Sequence, residues 1–339
     1  MSQPLVEVVR GPLVEAVHQG DLAVVDASGR LLASVGDPQS KVAYWRSSAK
    51  PFQSMPLVYG GAARRWGLTP EDLALCCGSH NGEPVHTDRV AALLERLGLT
   101  AEDLACGAHP PLNGEAAAAL LHADMAPTAL HNNCSGLHAG MLATARHLEA
   151  PVEGYESPGH PVQQEILANV CRFTGLRREE VLIGVDGCAA PCYGLSIYHM
   201  ALAYARLMEP RGLPDAGADA SGTIRDSMMA HPHLVAGRGR LDTDLMRVGR
   251  GALVAKGGAS GVQCVAIAGG LGLALKVEDG AGGPPSPGRP TSVATVEALR
   301  QLRVLDEAQA AQLDDHARPA IVTFSGRHVG EVRPAFRLG

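Results

Sequence analysis

Aromatic side chains are scarce in this chain: 339 residues include four Phe, two Trp and six Tyr, 4% in all. Basic runs and aromatic-plus-basic patches are absent and the net charge is −6, so nucleic acid is not an expected partner. No stretch approaches the about 18 uninterrupted apolar residues of a membrane span. The N-terminal "MSQPLVEVVRGPLVEAV" has no positively charged leader followed by an unbroken apolar run, so it does not read as a signal peptide. A cytoplasmic protein is the expectation. Eight cysteines in such a length are not a secreted disulfide framework. Cys76, Cys77, Cys106, Cys171 and Cys264 lie in apolar stretches and read as small core residues, whereas Cys134 and Cys188 sit among glycines and polar residues.

What is present is apolar: 46% hydrophobic against 19% charged residues, enough to bury a large core. The length fits one large domain or two closely interleaved ones. Residues 1–45 contain short alternating runs punctuated by Gly, Asp and Ser, as in an antiparallel meander. Near the other end, "GALVAKGGASGVQCVAIAGGLGLALKVEDG" reads as strand, turn, strand, and "RHVGEVRPAF" as a last strand. Between them the periodicity is helical. Val90, Leu93, Leu94 and Leu97 share one helix face, and Val162, Ile166, Val170 and Phe173 another. Thr69-Pro70 is a helix start, and residues 278–292 an exposed Gly/Pro loop. The expected fold class is α+β: an antiparallel sheet from the N- and C-terminal strands with a helical region between them. We expect a single compact domain over 1–339, its sheet part about 1–45 and 250–339 and its mainly helical part about 46–249.

One short stretch, "YWRSSAKPFQ", carries a chemical possibility. Ser47 and Lys50 are three apart, which on a helix puts both on one face with Cβ atoms about 5–6 Å apart. A serine hydroxyl needs a neighbouring base to become a nucleophile. A lysine can be that base when burial or a second cation, here Arg46, lowers its proton affinity. Pro51 fits only near a helix start, where the dipole favours developing negative charge. Alone, S-x-x-K is more commonly a capping serine with a solvated lysine. Here four more polar, glycine-rich clusters accompany it: "CGSHNGEP", "HNNCSGLHAGM", "DGCAAP" and "AKGGASGV". Each could be an ordinary turn. Five such loops joined by plain helices and strands resemble an active site carried on a rigid scaffold.

In this order the five motifs resemble those of the class 3, rhizobial-type L-asparaginases of the asparaginase II family, over essentially the whole chain. The resemblance implies a fold related to serine β-lactamases, penicillin-binding proteins and glutaminases. It also implies hydrolysis of L-asparagine to L-aspartate and ammonia through an acyl-enzyme. Carried over by motif, the catalytic residues are Ser47 with Lys50, and Ser79 with Lys256. Ser48 is not the matching serine. For the amino-acid substrate, Arg46 is a candidate for the α-carboxylate and Asp186 for the α-ammonium, with His80, Asn133 and His138 as further substrate-binding candidates. A homodimer is implied as well. No organic cofactor is.

One departure affects a metal. The family's zinc ligands correspond to Cys134, Cys188 and a lysine, but this sequence has Leu137 in the lysine's place, which cannot coordinate. Zinc would need a changed ligand set drawing on His138, Asp186 or water; two free thiols or a disulfide are the other outcomes. A second departure, Ser260 in place of a glutamate, touches the support of Lys256. Two other functions stay open beside asparagine hydrolysis: a glutaminase or penicillin-type acyl-serine hydrolase, and a non-catalytic amino-acid-binding protein.

Overall fold

The computed structural model describes residues 1–280 and 289–339. Of the loop expected over 278–292, residues 281–288 therefore lie outside the described residues. The chain divides into two compact units, one of Met1–Ser48, Leu195–Arg211 and Gly239–Gly339, the other of Ala49–Gly194 and Gly212–Arg238. Among the described residues no helix is long and apolar enough to cross a membrane.

The first unit is built on an eight-stranded sheet. Its N-terminal strands are β1 (Gln3–Arg10), β2 (Leu13–Asp26) and β3 (Leu31–Val35), followed in the chain by the short β4 (Val42–Tyr44), β5 (Leu182–Val185) and β6 (Pro191–Ser196). From the C-terminal part come β7 (Leu253–Gly258), β8 (Val262–Ile267), β9 (Leu271–Val277), β10 (Ala320–Val322) and β11 (His328–Pro334). The order is β10-β11-β1-β2-β9-β8-β7, with β3 also on β2, and the pairs are antiparallel. The two ends of the chain thus meet in one antiparallel sheet, β1 against β11, and the α+β class is as expected.

Successive strand residues face opposite sides of a sheet. The unbroken burial of Gly20–Val25 in β2 therefore means that both faces are covered there. The helix Ile197–Met208 packs on β2, β8 and β9. It approaches so closely that a Cβ at Gly272 would lie 1.9 Å from the Ala201 carbonyl oxygen. The stretch expected as strand, turn, strand holds three strands. The second turn is Gly269-Gly270, both with positive φ (84° and 75°), hidden in sequence because apolar residues flank it on both sides.

In the second unit the helix Lys50–Tyr59 is buried from Lys50 to Leu57. Pro51 stands in its first turn, but Pro56 is inside it and removes the N–H that would bond the Phe52 carbonyl. Asn169 Nδ2, from the helix Pro161–Thr174, donates to that carbonyl at 2.8 Å instead. The helix Pro70–Cys76 starts at a reciprocal Thr69–Asp72 capping box. The predicted faces Val90/Leu93/Leu94/Leu97 and Val162/Ile166/Val170/Phe173 are buried. Cys171, expected in the core, is half-buried.

The helix Ser135–His147 lies against the end of Pro70–Cys76 through two glycines. A Cβ at Gly136 would sit 2.4 Å from the Leu75 carbonyl oxygen, and one at Gly140 3.0 Å from Cys76 Sγ. This contact sets the first turn of Ser135–His147 beside the loop that follows Cys77. We expect Gly136→Ala to lower stability by about 1–3 kcal/mol, the cost of overpacking, seen as a drop in thermal midpoint. Gly159→Ala, at an exposed position with no atom within 4 Å of the added Cβ, should change it by less than about 0.5 kcal/mol.

Candidate active site

In the first unit the polypeptide turns at Arg46, whose φ of 53° is left-handed, into a 3-10 turn over Arg46–Ala49. The aromatic residues before it explain its placement. Trp45 is fully buried, edge-on to Tyr204 with ring centroids 6.2 Å apart. The Tyr204 hydroxyl donates to the Ser48 carbonyl at 2.7 Å. Ser47 is half-buried, whereas Ser48 is buried and its Oγ donates to the Lys256 carbonyl at 2.8 Å. A Cβ on Gly258 would lie 2.9 Å from the Trp45 carbonyl oxygen and 3.0 Å from Ser48 Oγ. The end of β7 therefore runs directly against the turn that carries Ser47.

Lys256 is fully buried. Its Nζ donates to the Gly257 carbonyl at 2.7 Å and lies 3.8 Å from an Asp242 carboxylate oxygen. Asp242 also accepts from Gly257 N–H (2.9 Å) and Gln263 Nε2 (2.8 Å). Sequence reading missed Asp242, because "LDTDLM" offers only an acidic first turn of a helix. Ser260 accepts from Arg46 Nη1 at 3.1 Å, so the smaller residue here holds the arginine.

The second unit gathers Lys50, Ser79, His80, Asn133, Cys134, His138, Asp186 and Cys188. Lys50 is 2% exposed. Its Nζ donates to the carbonyl of Gly78, one peptide before Ser79, at 2.5 Å, and reaches the Asn133 carbonyl at 3.5 Å. Ser79 N–H donates to the Val235 carbonyl (2.8 Å), and His80 N–H to the Asn133 carbonyl (3.1 Å). The His80 ring accepts from Gly82 N–H at Nδ1, which leaves Nε2 as the donor to Ser135 Oγ at 3.0 Å. Asn132 fixes the same segment. Its Nδ2 donates to the carbonyls of Cys106 and Gly107, and its Oδ1 accepts from Cys134 N–H. Asp186 is half-buried and accepts from Gly187 N–H at 2.6 Å.

Cys134 and Cys188 are buried and their side chains share a hydrogen bond. That bond lowers the Cys134 thiol to about 6, burial opposes it, and the Lys50 ammonium adds to the lowering. The same pairing, with burial, pushes the Cys188 thiol up. As a pair they release the first proton near neutrality and hold the second. In its thiol form Cys134 donates to Asn133 Oδ1 at 3.1 Å.

His138 is fully buried. Burial first, and then the Lys50 charge, lower its pKa to about 3, so the ring is neutral at physiological pH. Its Nδ1 lies 2.6 Å from the Tyr155 hydroxyl, a residue sequence reading did not single out. An aromatic in the turn-rich "EGYESPG" was the only available signal.

The zinc site implied by resemblance was tested against these donors. Leu137 is 2% exposed and apolar. Among the described residues no group of three or more His, Cys, Asp or Glu side chains is arranged to hold a metal ion. Two thiols without a third ligand of these types do not fit a closed zinc site, and no step below is routed through a metal.

These clusters and the fold around them coincide with a family match that spans nearly the whole chain. The chain belongs to the L-asparaginase II family, whose profile matches residues 6–334; it is a hydrolase family. No curated protein matches the chain. Solved structures are similar at low identity. The native form of Mglu in 4.3 M NaCl is 15% identical, covering 77% of this chain and 56% of that one, TM-score 0.40. Mglu in its tris and glutamate form is 14% identical, covering 90% and 64%, TM-score 0.46. A β-lactamase from Mycobacterium bovis is 14% identical, covering 83% and 94%, TM-score 0.40. The chain thus spans less than two thirds of the length of those two Mglu chains.

The thiol pair is directly measurable. Thiolate absorbance should step up near pH 6 in the folded protein. The step should vanish in Cys134→Ser and move to higher pH in both Cys188→Ser and Lys50→Met.

Proposed function

We propose that the chain is a class 3, rhizobial-type asparaginase, hydrolysing L-asparagine to L-aspartate and ammonia without an organic cofactor. The observation that carries this reading is the family match over residues 6–334, which includes all five motifs. In this mechanism Ser47 Oγ attacks the side-chain carboxamide carbon and gives its proton to Lys50. The C–N bond then breaks, ammonia leaves with a proton, and the aspartyl ester on Ser47 is hydrolysed by water, restoring the hydroxyl. Ser79 and Lys256 relay protons and polarise the amide. Arg46 and Asp186 hold the α-carboxylate and the α-ammonium.

The local chemistry supports these roles. An amine whose hydrogens point at two backbone carbonyls, as Lys50 does, is held in one orientation at the start of a helix. Lys256 differs, because its buried ion partner Asp242 makes it a positioned charge and a donor to developing negative charge. The homodimer is part of the same proposal and follows the resemblance.

Ser47→Ala should reduce ammonia release from asparagine by at least about a thousandfold, as for loss of a serine nucleophile, while asparagine binding stays measurable by calorimetry. Parental turnover in that variant refutes the assignment. Assaying asparagine, glutamine and a chromogenic β-lactam side by side separates the asparaginase from the other acyl-serine hydrolases, and binding without turnover of any of them points to an amino-acid-binding protein. Asp242→Asn should lower kcat about tenfold or more, because Lys256 and the Gly257 N–H lose a charged partner. A rate unchanged within twofold removes Asp242 from the mechanism.

A further inference from the structure

Tyr155 and His138 make a buried polar contact in the second unit that the proposed chemistry leaves unused. Tyr155 is 1% exposed and His138 fully buried. The Tyr155 oxygen accepts from Ala105 N–H at 2.9 Å and lies 2.6 Å from His138 Nδ1. Its backbone is tied down as well, since Gln163 Nε2 donates to the Tyr155 carbonyl at 2.9 Å.

Two proton arrangements fit a 2.6 Å contact. If Nδ1 carried the hydrogen, the tyrosine oxygen would accept twice and its own hydrogen would have no acceptor among the described residues. A buried donor left so costs about 1–3 kcal/mol. If the tyrosine donates to Nδ1, each of these atoms is satisfied. The ring's one hydrogen then sits on Nε2, the nitrogen that is buried and has no hydrogen-bond partner among the described residues. Buried polar atoms without partners are rare in folded proteins, and this one is a donor awaiting an acceptor.

We infer that Tyr155 is a positioning residue that locks His138 in the Nε2–H form, so that the ring offers a neutral donor to a carboxylate or carboxamide oxygen of the amino-acid substrate. This rests on the proposed function for the identity of the ligand, but not for the tautomer. A donor at Nε2 has no lone pair to give a metal and nothing to offer an ammonium. Asp186 acts on the ring with its negative charge and, in the proposed function, takes the substrate's ammonium, which leaves the Nε2 donor for an oxygen.

The test is a long-range proton–nitrogen NMR spectrum of histidine-labelled protein without substrate, the His138 signals being assigned by their loss in His138→Gln. The expected result is a protonated Nε2 and a bare Nδ1 in the parent, and a mixed or switched tautomer in Tyr155→Phe. A protonated Nδ1 in the parent overturns the inference even if Tyr155→Phe does not fold; so does an unchanged tautomer in a folded Tyr155→Phe. In turnover, Tyr155→Phe should raise KM for asparagine about tenfold with kcat within about twofold, the loss expected for one hydrogen bond to a charged group. His138→Gln, which keeps an N–H donor, should recover more of the affinity than His138→Leu; equal losses in the two overturn the donor role. If no asparagine is hydrolysed while the tautomer is as stated, the asparaginase reading fails and the positioning by Tyr155 stands.

Discussion

A buried lysine that reaches two backbone carbonyls is a demanding arrangement. Lys50 gives up bulk solvation, and its Nζ must find acceptors in fixed places. The Gly78 carbonyl at 2.5 Å and the Asn133 carbonyl at 3.5 Å provide them. Each belongs to a different polar loop, so satisfying one amine ties the start of the helix Lys50–Tyr59 to the Ser79–Asn81 loop and to the turn before Cys134. The second unit is organised to make that contact available. Gly136 and Gly140 allow two helices to touch, and Asn132 ties the backbone at Cys106 and Gly107 to the Cys134 N–H.

The first unit solves a related problem by different means. Lys256 lies on β7 after a run of buried apolar residues, and its Nζ donates to one carbonyl, that of Gly257. It is matched by a carboxylate, and that carboxylate is held in turn by Gly257 N–H and Gln263. An ion pair out of water is tolerable only when its remaining lone pairs are also satisfied, and Asp242 meets that condition. The two lysines named by one sequence logic therefore sit in unlike environments, one reaching two carbonyls and the other a carbonyl and a carboxylate.

The architecture was legible where periodicity was clean. The terminal strands alternate and the helices at Pro84–Arg96 and Pro161–Thr174 have regular apolar faces, so the antiparallel sheet and the helical middle could be read directly. Between β8 and β9 the strands are buried without alternation, and a two-glycine turn joined them into one apparent run. The Ser, Lys, Asn and Cys residues of the site stood out because each lies in a polar glycine-rich cluster. Tyr155 and Asp242 did not, since each is a single residue in an unremarkable context and acquires its role only through a partner distant in sequence. Residues that orient others leave no motif of their own.

Leu137 puts a buried apolar side chain in the first turn of the helix Ser135–His147. Next to it in the cluster, the Cys134 thiol is lowered to about 6 by Cys188 first and by Lys50 as well, against burial. Burial keeps His138 neutral, so its ring adds no positive charge to the cluster. A leucine at this position is thus compatible with an ordered, polar cluster in which the two thiols hold one proton between them.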